Sequence, residues 1–192
     1  MGEILDRPPA PARHRLDVDA YYRMAETGIL AEPQRVELID GEIIDMPAIG
    51  SPHAAATNRL ARLFSRALPD DVALVNVQSP VRLDAYNEPE PDLALLRPRT
   101  DGYRTGHPGA GDVLLLIEVS ESSLAYDRGT KLPLYAKFAV PEVWIVDPPG
   151  AAIEVHREPR EGAYASRERL AGGQLAPAFA PAAGIDVAAL FG

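Results

Sequence analysis

Asp92, Glu118 and Lys131 have the types and spacing to handle an anion together with a hard cation. Asp92 follows Pro91 and opens the apolar run Leu93 to Leu96 in EPEPDLALLRP. Glu118 interrupts the apolar run VLLLIEVS near its C-terminal end, 26 positions later (118 − 92). Both runs read as buried strands, and buried strands avoid carboxylates unless something pairs with them. Two neighbouring strands with one inward acid each would set both acids side by side. Carboxylates in low dielectric repel, so such a pair demands a proton, an Arg or Lys, or a metal ion. Magnesium fits, because it takes hard oxygen ligands and is held by one or two carboxylates, with water and substrate phosphates completing its shell. Manganese could take its place with the same ligands.

Further candidates surround these residues. Lys131 stands thirteen positions after Glu118 (131 − 118), at the start of an expected helix. Only Lys131 and Lys137 carry an ammonium in the chain, so a role that needs lysine has two candidates. If the helix packs beside the strand, Lys131 reaches the acids, where it could orient a water or stabilise a pentavalent phosphate. Tyr135, one turn on, shares that face and reads first as core. Glu37, in RVELIDGE, alternates to the opposite face from Val36 and Leu38; Glu42, across the turn, is the competing acid, and alternation does not choose between them. His53 reads as a solvated histidine, with capping of the second helix's start or approach to a phosphate as the other readings.

The positioning elements can be read along the chain. DVDAYYRMAETG is a helix capped by Asp17 and ended by Gly28. VELIDGEIIDM is a hairpin with a tight turn at Asp40-Gly41. SPHAAATNRLARLFSRALPD is a second helix, with Ser51 as cap and Pro52 at its first position. Leu60, Leu63, Phe64 and Ala67 mark its apolar stripe. Arg59, Arg62 and Arg66 form a neighbouring stripe, read as a solvated face, with a nucleic-acid backbone contact as the alternative. VALVNV, PVRL and DLALL read as extended segments, and DVLLLIEVS as a central strand buried on both faces. A third helix starts between Asp127 and Thr130, with Pro133 in or near its first turn. EVWIVD turns through PPG into AIEVHR, with Trp144 as a core residue, and GIDVAALFG closes the chain as a short helix. The fold class is therefore α/β or α+β: a mixed β-sheet flanked by helices.

Composition sets limits. The 192 residues suffice for one domain, with residues 1–16, rich in proline and arginine, expected as a flexible N-terminal arm and 17–192 as the domain. A net charge of −9 argues against attraction of the whole surface to nucleic acid, so any such binding needs a basic patch or a neutralising metal. No apolar run approaches the length needed to cross a bilayer. With no cysteine, disulfides and thiolate metal sites are excluded, and a cytoplasmic location is expected.

EPEPDLALLRP, LLLIEVSESS and YDRGTKLPLYAKFAVPEVWIVDP, taken together, resemble the Uma-two family of restriction endonucleases, within the PD-(D/E)XK nuclease superfamily. The likeness extends back to RVELIDGEIIDMP and SPHAAATNRLARLF and covers about residues 17 to 157. It implies a restriction-endonuclease-like fold and magnesium-dependent hydrolysis of DNA phosphodiester bonds. Pro91-Asp92 matches the first half-motif and Glu118 the acid of the second, making Asp92 and Glu118 the implied metal ligands. The lysine expected two positions after Glu118 is replaced by Ser120, and Lys131 matches a lysine moved to the adjacent helix. Glu37 matches an acid found ahead of the core motif. A homodimer is expected, since cutting both strands usually takes two sites. Two alternatives stand beside this: a catalytically silent binding module on the same fold, and a sugar hydrolase with its two acids on opposite sides of an open cleft.

Overall fold

The computed structural model describes residues 12–30 and 35–192. Its centre is a six-stranded sheet built from β3 (Leu74–Val77), β4 (Leu93–Leu96), β5 (Val113–Val119), β6 (Glu142–Asp147), β7 (Ala152–Arg160) and β8 (Ala163–Leu170), adjacent in that order. All neighbours are antiparallel except β5 and β6, which run parallel. A parallel pair needs a crossover. Here it is a helical segment made of α3 (Leu124–Tyr126), a π-helical turn (Asp127–Lys131) and α4 (Leu132–Lys137).

Alternation along β4 and β5 sorts side chains between two cores. Leu93, Leu95, Leu115, Ile117 and Val119 face α2 (Ser51–Ala67), where Leu60 and Phe64 are buried and Trp144 packs against Phe64. Ala94, Leu96 and Leu116 face the other way, onto Leu134 and Tyr135 of α4. By the same alternation, Asp92 and Glu118 belong to the α4 face. The sheet closes over α5 (Val187–Phe191), whose Val187 and Leu190 join the α2 core, and a small pair of strands, β9 (Gln174–Leu175) and β10 (Ile185–Asp186).

The N-terminal elements pack across the sheet's end. α1 (Val18–Glu26) starts as expected, with the Asp17 carboxylate accepting the Ala20 N–H at 2.7 Å. β1 (Val36–Ile39) and β2 (Glu42–Asp45) form the expected hairpin. Asp40 and Gly41 both have positive φ (51° and 76°), which suits a tight turn between twisted strands. The hairpin is tied to the segment before β4: Glu88 N–H donates to Leu38 O at 2.8 Å, and the Asp40 N–H to Asn87 Oδ1 at 2.7 Å. Of the expected N-terminal arm, residues 1–11 lie outside the described residues. Residues 12–16 run along the hairpin, where Arg13 pairs with Glu42 and the Leu16 N–H donates to Gly41 O at 3.0 Å.

Four local expectations are revised. Ser51 does not cap α2: Gly50 takes the cap position without a side-chain bond, and Glu121 Oε2 accepts the His53 N–H at 3.3 Å instead. The third helical segment begins earlier, at Leu124, and passes through the π-turn, leaving Pro133 in the first turn of α4 as expected. PVRL contributes only an isolated bridge, Arg82 to Gly109. β8, β9 and β10 were not anticipated. β8 is an edge strand, mostly exposed, with Arg167, Glu168 and Arg169 in succession. Among the described residues, no helix is long and apolar enough to cross a membrane.

A side chain at position 41 would be strained twice over. A Cβ there would meet Arg15 Cβ at 2.7 Å, and the backbone is left-handed. Gly41→Ala is expected to cost about 1–2 kcal/mol from the backbone alone, seen as a lower urea midpoint with an unchanged slope.

Candidate active site

The pairing of β4 with β5 sets Leu93 opposite Ile117; carried one residue further, the register puts Asp92 opposite Glu118. Both line one cleft of about 290 Å³, together with Glu37 and Lys131. All four residues are buried: exposure is 1% for Glu37, 8% for Asp92, 4% for Glu118 and 5% for Lys131. The four sequence-predicted residues thus come from four parts of the chain to one place. Glu37, rather than Glu42, is the inward acid of the hairpin; Glu42 is on the surface with Arg13.

Lys131 is the cation at the centre. Its ammonium lies 3.0 Å from Glu37 Oε2 and 3.2 Å from Glu118 Oε1. Burial alone would push its pKa down, but Glu118 and Glu37 outweigh it and hold the ammonium above the ordinary lysine range. Burial pushes the Glu118 carboxyl up to about 8 against the opposing pull of Lys131, with Asp127, Asp92 and Glu37 adding to the rise. The Tyr135 hydroxyl also donates to Glu118 Oε1. Among the described residues Glu118 Oε2 has no hydrogen-bond donor, and it is not sealed from solvent. One oxygen of Glu118 is therefore held and the other is open to the cleft.

Asp92 is oriented by three donors from three parts of the chain. Val119 N–H donates to Oδ2 at 2.8 Å, while His53 Nε2 and Gln78 Nε2 lie 2.7 Å and 3.2 Å from Oδ1. The hydrogen bond to Asp92 is the main reason the His53 imidazole is held above its ordinary pKa, against its partial burial. His53, read from sequence as solvated, is therefore part of the site. The sequence signal for it was its place in the first turn of α2, which aims it at the end of β4. Gln78 carried no signal at all.

Ser120 occupies the position where the resemblance places a lysine, and it has a different task. Its hydroxyl donates to Asp127 Oδ2 at 2.6 Å, as does that of Ser123 at 2.5 Å. This buried knot fixes the first residue of the π-turn, whose last residue is Lys131. On the far side Arg128 pairs with Glu154 of β7, which also accepts from Arg167 of β8 at 3.0 Å. The turn that presents the lysine is thus pinned at its head, at Asp127 and Arg128. π-turns within helices recur at functional sites.

A divalent cation fits this chemistry. The donors facing the cleft are hard carboxylate oxygens, with one oxygen of Glu118 uncommitted. Among the described residues no three His, Asp or Glu side chains already converge as a ligand set. Two carboxylates completed by water and substrate oxygens is, however, an ordinary way to hold magnesium.

The family model described as Uma2, putative restriction endonuclease, matches residues 18–188. The chain is similar to a solved structure titled as a putative nuclease belonging to DUF820 from Anabaena variabilis ATCC 29413, at 1.96 Å resolution. The TM-score is 0.68 at 17% identity, covering 92% of this chain and 97% of that one, a likeness of fold. No curated protein matches.

The position of Glu118 predicts a pH dependence of stability in metal-free buffer. Its folded pKa, about 8, lies above the ordinary carboxylate range. Between those values the folded state keeps a proton that the unfolded state has lost, so stability falls as pH rises through that window and levels off above it. Lys131 stays charged throughout and adds no slope there. Calorimetry from pH 5 to 9 should show the melting temperature of wild type declining relative to Glu118→Gln; parallel curves would contradict the buried, raised carboxyl.

Proposed function

The chain belongs to the Uma2 family of restriction endonucleases, and from that premise we propose that it hydrolyses DNA phosphodiester bonds with magnesium, or manganese in its place, in the cleft between β4, β5 and the hairpin. The observation that carries this reading is the opposition of Asp92 and Glu118 across two paired strands with Lys131 beside Glu118. Asp92 and Glu118 would hold the ion. Bound there, it supplies neutralisation of the phosphate and a water of lowered pKa.

The chain's own residues have separable tasks. His53, Gln78 and the Val119 N–H fix the orientation of Asp92. Tyr135 and Lys131 hold one oxygen of Glu118 and leave the other open. Lys131 supplies positive charge where the phosphorane becomes more negative than the substrate. Glu37 keeps that ammonium in place. The acids share one cleft with their open oxygen facing inward, an arrangement that favours phosphodiester chemistry over the sugar-hydrolase alternative. Ser120 is the best support for a silent binding module; an ammonium delivered from the helix favours the enzyme reading over it. Cutting both strands takes two such clefts, so the acting species is proposed to be a homodimer.

The test is nicking of supercoiled plasmid with magnesium. Asp92→Ala and Glu118→Ala are each expected to lose about a hundredfold or more in rate, and Lys131→Ala about 10²–10³-fold. Chelation should abolish the activity. Equal nicking by wild type and all three variants would mean a contaminating nuclease and would defeat the proposal.

A further inference from the structure

Three buried polar side-chain atoms among the described residues lack a hydrogen-bond partner: Thr57 Oγ1, His156 Nε2 and the Tyr126 hydroxyl oxygen. His156 Nε2 lies 3.4 Å from a carboxylate oxygen of Glu154, and neither His156 nor Thr57 lines the cleft. Tyr126 does line it, alongside Glu118, Lys131 and Asp127. A buried O–H without an acceptor has lost its water and gained nothing in return, and a native fold rarely keeps such a group without a use for it.

The other hydroxyls at the cleft are accounted for. Ser123 donates to Asp127, and Ser122 is exposed to solvent. Tyr135, nine residues on (135 − 126), spends its hydroxyl on Glu118. Lys131 is already shared between Glu37 and Glu118, and His53 is committed to Asp92. Beside the Arg35 guanidinium, which also lines the cleft, an incoming phosphodiester would therefore meet donors that are largely occupied, in a cleft rich in carboxylates. Burial first, and then Glu37, push the Tyr126 phenol up to about 12, so it is a donor at any working pH.

Building on the proposed nuclease activity, we propose that Tyr126 is a further substrate-contacting residue, its unpartnered hydroxyl turning into the filled cleft to donate to a non-bridging oxygen of the phosphodiester. The hydroxyl is closed off from water in the free protein although the residue is partly exposed and lines the cleft. Tyr126 is the last residue of α3, directly ahead of the π-turn, where the helical hydrogen-bond pattern changes.

Tyr126→Phe keeps the ring and removes only the oxygen. Three readouts are compared with wild type: melting temperature, plasmid nicking with magnesium, and the affinity for a fluorescein-labelled duplex oligonucleotide with calcium in place of magnesium. The expected result is an unchanged or higher melting temperature, a kcat/KM lower by about tenfold or more, and weaker oligonucleotide binding. A melting temperature lower by several degrees would make the hydroxyl a structural partner and overturn the inference. A variant that nicks and binds like an active wild type would overturn this inference alone. A wild type that neither nicks nor binds would overturn the nuclease reading, and this inference with it.

Discussion

One ammonium holds the functional end of this molecule together. Lys131 sits between Glu37 of the hairpin and Glu118 of the central strand, so a single buried cation joins three elements distant in sequence. Removing one partner from such a cluster leaves an uncompensated charge in low dielectric, far costlier than the loss of a surface ion pair. Two strands alone are marginal, and the hairpin is also held by its buried Leu38 and Ile39 and by hydrogen bonds to Asn87, Glu88 and Leu16. The Lys131–Glu37 pair adds to that packing and ties the hairpin to the charge arrangement of the cleft.

That constraint also accounts for the departure at Ser120. A lysine on the strand would be held by the sheet itself. A lysine on a helix must have the helix held for it, and the hydroxyls of Ser120 and Ser123 meet that need by gripping Asp127 at the head of the π-turn. The strand residue that lacks the charge thus anchors the element that carries it. The neighbouring Arg128 adds a second attachment, to Glu154 of β7.

Much of this was legible in the chain. The apolar runs at β4 and β5 are long enough and continuous enough to read as buried strands, and the two acids stood out because they interrupt them. The Asp40-Gly41 turn and the Asp17 cap are local signals, complete within a few residues. What escaped notice depended on distance or on the absence of an apolar pattern. The cap of α2 comes from Glu121, 68 positions after His53 (121 − 53), and Ser51 looked sufficient locally. His53 joins Asp92 only because α2 and β4 meet at one end of the sheet. β8, AYASRERL, has its side chains mostly in solvent and shows little of the alternation that marks a half-buried strand.

The character of β8 has a consequence for the behaviour of the protein at high concentration. A sheet edge with free N–H and C=O groups is a template onto which another molecule's strand can add, and from which fibrils can grow. On this edge Arg167, Glu168 and Arg169 follow one another in the open. An incoming strand would have to bury or match alternating charges before gaining any backbone bond, so the same residues that hid the strand from notice act as gatekeepers against aggregation.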